Sequence, residues 1–215
     1  MRERVIGIGA GGHAKVLIEI IQMRGEFELV GLLDPDPQSH GKLVSGVTVL
    51  GDDSMIPALI QQGVRHFFLG VGSVDSSAFR RQLFEKCIAA HMEPVSTVHP
   101  AAILSPVAGL GKGCMVMAGA ILNPGVTLGE NVIVNTGAVI DHDCVIESHV
   151  HVATGAALSG GVHVGTGSHI GTGAVVKHGV RIGMNVVVGA GAVVIRDVPD
   201  SVMVAGVPAE TMRRL

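Results

Sequence analysis

The chain has no tryptophan, no tyrosine and five phenylalanines in 215 residues, so a core of interlocking large aromatics is excluded. It has three cysteines, Cys87, Cys114 and Cys144, and no CxxC pair, which argues against a disulfide framework or a cysteine-rich metal knot. There is no basic excess: the formal net charge is −3, and no nucleic-acid surface is advertised. Apolar runs are broken by glycine and polar residues well short of a membrane span. The opening MRERVIGIGAGG lacks the apolar region and cleavage pattern of a signal peptide, so a cytoplasmic location is expected. What remains is a chain 47% hydrophobic through Ala, Val, Leu and Ile, with 31 glycines. Such a composition suits regular stacking of small and β-branched side chains.

The grain changes near residue 97. Before it, apolar strands alternate with helical patterns. RVIGIGA leads into the helix HAKVLIEIIQMRG, closed by Gly25; FELVGLLD follows, then SMIPALIQQG, VRHFFLGVG and SSAFRRQLFEKCIAAHM. Alternation of this kind predicts a small parallel α/β sheet over residues 1–97. Gly7, Gly9 and Gly12 fit GxGxxG after a strand and before a helix, and Asp34 follows 22 residues after Gly12. The pattern requires only a close approach of backbone to phosphate at a helix start. A nucleotide-sugar diphosphate satisfies that as well as a nicotinamide dinucleotide does, and the strands are too few for the doubled dinucleotide fold.

From Val98 to Val194, every sixth residue is Leu, Ile or Val, seventeen in succession. Four residues after each anchor, from Cys114 on, stands a small or β-branched residue. Six is not a multiple of 3.6, so no amphipathic helix fits; the period predicts a parallel β-helix over 98–215, three hexads per coil. The anchors fill the interior, Cys114 and Cys144 pack inward, and the frequent glycines one residue after the anchor (Gly111, Gly129, Gly165, Gly171, Gly183, Gly189) are expected to ease the corners. Residues 18 apart should stack. That places Pro124 and Gly160 on either side of His142, and Gly125 and Gly161 on either side of Asp143, leaving open space beside a His-Asp pair suited to proton transfer. It also stacks His151 on His169. No metal is expected there, and His99, His163 and His178 are read as solvated residues without a role.

Read together, GIGAGGHAKV, LLDPD, FFLGVG, HPAA, NTGAVIDHDCVIESHVHVATGA and GVPAE, in that order, resemble the sialic-acid O-acetyltransferase type family of hexapeptide-repeat acyltransferases. Within it, the chain is most similar to N-acetyltransferases of nucleotide-linked 4-amino-4,6-dideoxy sugars, of the bacillosamine and perosamine type. The resemblance implies a left-handed β-helix, acetyl-CoA as acyl donor, a homotrimer and a role in surface-glycan synthesis such as that of lipopolysaccharide O-antigen. It implies His142 as general base with Asp143 raising its basicity. Asn135 is implied at the substrate and His151 at acetyl-CoA. Gly160, Gly161, Gly171 and Thr172 fall where the thioester and pantetheine arm are expected. In the first half, Gly11, Gly12, His13, Asp34 and Gly72 are implied to hold the nucleotide-sugar. His142 and His151 are nine residues apart, half a coil, so a site using both has to be completed by a neighbouring subunit. Acetylation of a sialic-acid hydroxyl is the alternative reading, and a β-helix that binds without catalysis is a more distant one.

Overall fold

The computed structural model describes residues 2–73 and 76–215, which divide into two compact units. The first comprises Met1–Gly72 and Arg80–Pro100; the second comprises Ser73–Phe79 and Ala101–Leu215.

The first unit is a sheet flanked by helices. In chain order it contains β1 (Glu3–Ile8), α1 (Gly12–Arg24), β2 (Phe27–Leu33), β3 (Leu43–Val44), β4 (Val47–Gly51), α2 (Ile56–Gln61), β5 (His66–Leu69), α3 (Ala78–Ala89, whose first two residues fall in the second unit) and β6 (Glu93–Pro94). The sheet order is β3-β4-β2-β1-β5-β6, parallel throughout except for the β3–β4 hairpin. Leu17, Ile18, Ile20 and Ile21 of α1 are buried at the spacing of one helix face, and Gly25 ends the helix at φ 64° with its N–H on the Ile21 carbonyl. The hairpin was not foreseen. Its signal was Ser45-Gly46, both at positive φ (48° and 80°), the conformation that a two-residue hairpin turn demands.

The strand order places β1 between β2 and β5, with chain excursions leaving to either side. Ligands of open α/β sheets bind outside the carboxyl ends of the strands at such a point. The three loops there are tied together: Gly9 N–H donates to Leu33 O and Gly70 N–H to Ile8 O, both at 2.7 Å.

The second unit is a parallel β-helix of two-residue strands in three faces. The first face stacks Met115–Val116, Ile133–Val134, His151–Val152, His169–Ile170 and Val187–Val188. The second runs from Ile103–Leu104 to Val193–Val194, and the third from Gly109–Leu110 to Arg181–Ile182. Every pairing between these two-residue strands is in register at 18 residues, as Ile121↔Val139 and Val139↔Ala157 illustrate, whereas the last coil closes at 16, with Val187 against Met203. Every anchor from Val116 to Val194 is buried, and so is every residue of the companion column from Cys114 to Val198. Ser168, the one hydroxyl in that column, donates to Gly183 O at 2.7 Å and accepts from Val186 N–H at 2.9 Å. Val202–Ala205 continues the first face and returns as a hairpin with Glu210–Arg214.

The corners differ from expectation. The left-handed residue is the third after each anchor, and all fourteen such positions from Gly113 to Gly191 have positive φ. Ten are glycine; the exceptions are Asn131, Asp143, His149 and Asn185. The glycines one residue after the anchor serve another end. A Cβ on Gly111 would lie 2.5 Å from the backbone of Gly129, and one on Gly165 would lie 2.6 Å from that of Gly183. They are glycine because successive coils press together there, not because the chain turns there.

Candidate active site

The residues expected to hold a nucleotide converge at the carboxyl ends of β1, β2 and β5. Gly11 and Gly12 open the helix with empty space where a side chain would stand. Gly9, the second glycine of the GxGxxG pattern, is the sterically demanding member of the loop: it has φ 99°, and a Cβ would lie 2.5 Å from Val71. Asp34 is more occupied than a free ligand contact. Its two carboxylate oxygens accept from Ala10 N–H at 2.8 Å and Asp36 N–H at 3.0 Å, so it fastens the glycine loop to the DPDP turn. His13 lies beside Gly72, its Cγ 3.9 Å from where a Gly72 Cβ would be. Burial, followed by the positive charge of Arg80, lowers its pKa to about 4. His13 is therefore a neutral ring at physiological pH, able to donate and accept but carrying no charge. Arg80, buried on α3, was not picked out from the sequence; its partner here comes from an element 67 residues away.

On the β-helix, His142 and Asp143 form the corner between the second and third faces. Asp143 is held at φ 59°, in a column otherwise occupied by Gly125, Gly161 and Gly179. A non-glycine residue in that conformation is strained, and such strain collects at functional sites. It turns the carboxylate back so that Oδ2 lies 2.9 Å from His142 Nδ1. Paired this way, Nδ1 carries the proton and Nε2 is left as the acceptor. The His142 N–H donates to Asp141 Oδ1 at 2.8 Å, and the same oxygen accepts from Asn123 Nδ2, one coil away, at 2.8 Å. The Asp143 hydrogen bond, then the charge of Asp141, raises the His142 pKa above the usual imidazole value.

Glycines make the room. A Cβ on Gly125 would stand 2.5 Å from Asp143 Oδ1, and one on Gly160 would stand 2.5 Å from His142 Nε2. Gly161 donates its N–H to His142 O at 2.8 Å. The four residues His142, Asp143, Gly160 and Gly161 thus share one edge, as the 18-residue stacking predicts.

The other residues expected in the β-helix lie elsewhere on it. Asn135, Gly171 and Thr172 are at corners between the first and second faces, and His151 is on the first face, opposite the His142 edge. His151 is buried. Its Nδ1 donates to Ser73 O at 2.6 Å, and Asn135 Nδ2 donates to its Nε2 at 3.2 Å. Asn135 Oδ1 accepts from Thr136 N–H, which fixes the direction of that amide. The His151 and His169 rings meet edge to face at 4.9 Å. Gly171 has its own packing reason, since a Cβ there would lie 2.5 Å from Val188 O. Cys114 and Cys144 are fully buried, and burial pushes the Cys144 thiol pKa up, which removes it as a nucleophile. Among the described residues no group of three His, Cys, Asp or Glu could hold a metal, and no helix is long and apolar enough to cross a membrane.

One result is expected whatever the reaction. Because Asp143 raises the His142 pKa, Asp143→Asn should move the midpoint of the His142 ring titration to lower pH. The measurement is an NMR titration with the His142 signal assigned through His142→Gln. Equal midpoints in wild type and variant would mean that the pair is not formed in solution.

Two family models match the chain: the PglD N-terminal domain over residues 4–87, and the bacterial transferase hexapeptide (six repeats) over residues 108–142. The UDP-N-acetylbacillosamine N-acetyltransferase of Bacillus subtilis (strain 168) is 38% identical over 118 residues, 52% of this chain and 50% of that protein. The chain thus matches about half the length of this curated relative. Among solved structures, a single-residue mutant of perosamine N-acetyltransferase from Caulobacter crescentus, in complex with CoA and GDP-perosamine, is 42% identical. The match covers 97% of this chain and 96% of that one, with a TM-score of 0.92. The acetyltransferase domain of PglB from Neisseria gonorrhoeae FA1090, in complex with acetyl coenzyme A, is 35% identical, with 99% and 100% covered and a TM-score of 0.89.

Proposed function

The chain belongs to the sialic-acid O-acetyltransferase type family of left-handed β-helix, hexapeptide-repeat acyltransferases, in the branch of nucleotide-linked amino-sugar N-acetyltransferases, and from that membership we propose its reaction. It transfers the acetyl group of acetyl-CoA to the amino group of a UDP- or GDP-linked 4-amino-4,6-dideoxy sugar, a cytoplasmic step in surface-glycan synthesis such as that of O-antigen. The observation that carries this reading is the imidazole of His142, held through Nδ1 by Asp143 at 2.9 Å with its Nε2 over the space that Gly160 leaves open.

The thioester supplies an activated acyl carbon; the chain supplies the proton chemistry around it. An amine attacks only as the neutral base, and the adduct has to lose a proton. His142 Nε2 takes that proton, and Asp143 stabilises the imidazolium that forms. A backbone N–H near Gly160 stabilises the developing oxyanion. Residues 1–97 hold the nucleotide through Gly11, Gly12, His13, Asp34 and Gly72, and residues 98–215 carry out acyl transfer. Asn135 is assigned to the acceptor substrate and His151, Gly160, Gly161, Gly171 and Thr172 to acetyl-CoA. Since His151, Gly171 and Thr172 are not on the His142 edge, the enzyme acts as a homotrimer, in which His142 of one subunit meets the acetyl-CoA contacts of its neighbour.

The test is coenzyme A release with GDP- and UDP-linked 4-amino sugars and with the same sugars free, alongside sedimentation of the active enzyme. The free sugars should be very poor substrates, chiefly through a raised KM, because the nucleotide provides ground-state affinity. A free sugar that reacts as well as its nucleotide form would remove the assignment of the first domain. A fully active monomer would remove the shared site.

A further inference from the structure

His142, Gly160 and His178 occupy the same place in three successive coils, along the edge between the second and third faces. Gly160 leaves the middle of this column bare. A Cβ there would stand 2.5 Å from His142 Nε2 and 2.6 Å from Cε1, so the His142 ring leans along the column over Gly160. At the far side stands His178, exposed, with its ring centroid 6.2 Å from that of His142 and the two planes inclined by 47°. Gly161 keeps the flank open as well: a Cβ there would come no closer than 3.8 Å to His178 Cε1. Asp141 is close enough to both rings for their charge to add to the effects that lower its pKa, which are led by its hydrogen bonds to the His142 N–H and Asn123. The edge therefore carries two imidazoles, one on each side of the bare Gly160 position, and not one.

Ring centroids 6.2 Å apart leave room between the ring edges for one tetrahedral nitrogen hydrogen-bonded at about 2.9 Å to each. A primary amine has a lone pair and two N–H bonds. As its lone pair attacks the acetyl carbon, one proton is to be removed and the other stays on the product amide. A hydroxyl has a single proton, which the base alone takes. On the acetyl-transfer reading, on which this inference rests, we propose that His178 accepts the retained N–H of the attacking amine and so favours amine over hydroxyl acceptors. The step balances. The nitrogen–carbon bond forms, one N–H proton passes to His142 Nε2, the carbon–sulfur bond breaks, and the thiolate leaves with the proton from the imidazolium. The second N–H remains on the amide, bonded to His178 throughout.

The experiment uses whichever GDP- or UDP-linked 4-amino sugar the wild-type enzyme acetylates, and the same nucleotide sugar bearing a 4-hydroxyl as a competitive inhibitor. His178→Phe keeps a flat ring but removes the acceptor; His178→Gln restores an acceptor oxygen. His178→Phe should lower kcat/KM for the amine about 10-fold, the worth of one hydrogen bond, and His178→Gln should recover most of the loss. The inhibition constant of the 4-hydroxy sugar should be the same in all three proteins, because its only proton goes to His142. Equal loss in turnover and in inhibitor affinity would mean that His178 merely shapes the edge. Unchanged turnover in His178→Phe, or a Gln variant no better than Phe, would also overturn the assignment while leaving acetyl transfer intact. A wild-type enzyme that acetylates none of the nucleotide-linked amines would overturn the acetyl-transfer reading, and the role of His178 with it.

Discussion

Replacing His142 with alanine should lower kcat by about 10²–10⁴-fold, the usual contribution of a positioned general base, and leave the affinity for CoA nearly unchanged. The ring is tied through Nδ1 to Asp143 at 2.9 Å, so its remaining nitrogen has one orientation and one protonation role. Removing the ring deletes the proposed proton acceptor and leaves the coil in place, since His142 is exposed and its backbone bonds to Asp141 and Gly161 do not need the side chain. The loss should therefore appear at saturating substrates and not in KM for acetyl-CoA. Asp143→Asn should cost less, since the imidazole stays and only its basicity and tautomer control weaken. Activity of His142→Ala within about threefold of wild type would rule out base catalysis on the scale expected of that step and move the base elsewhere.

The second large effect is expected from a methyl group. In Gly160→Ala the new Cβ would lie 2.5 Å from His142 Nε2, 2.6 Å from Cε1 and 3.1 Å from Cδ2, distances at which the ring cannot remain. Gly160 is not among the positive-φ residues, so alanine suits its backbone, and the atoms displaced are the end of an exposed side chain. The fold should hold while Nε2 is swung away from the attacking nitrogen. Misplacement of a reacting group by about 1 Å typically costs ~10²-fold, and kcat should fall by that order with a nearly unchanged Tm. Gly109→Ala is the control on the same β-helix, because its added methyl meets nothing nearer than Thr127 Cγ2 at 3.8 Å. If Gly160→Ala kept wild-type kcat, the ring would not need its place over Gly160, and the inference on His178 would lose its geometric basis.

The β-helix was legible from the sequence because the fold repeats with the chain. A fixed step of 18 residues converts separation along the chain into height along the axis, so burial and stacking can be counted directly. Val98, Leu104 and their successors lie on three faces, and Gly160 next to His142 follows from subtraction alone. The same counting places His178, read from the sequence as a solvated residue without a role, two steps from His142 in one column. It did not distinguish two uses of glycine. Gly111 and Gly165 are glycine because the next coil's backbone is too close, whereas Gly125 and Gly161 are glycine because φ is positive. Asp143, in the second register without being glycine, was a readable sign of strain once that register was known.

The sequence by itself thus determined the repeat, the core columns and the His-Asp corner with its small neighbours, since each follows from a local period and a fixed stack. Only the tertiary structure decided what those groups touch. It directed the Asp143 carboxylate back onto His142, joined Asn123 to Asp141, and turned His151 toward Ser73 and Asn135. In the first unit, where no repeat relates distance to sequence, it set Arg80 beside His13, bound both oxygens of Asp34 to backbone N–H groups, and built the Leu43–Gly51 hairpin. The physical reason is the same in each case. A side chain's burial need is written in its own chemistry and in its period, but its hydrogen-bond partner and its pKa depend on which distant segment the crossovers bring against it.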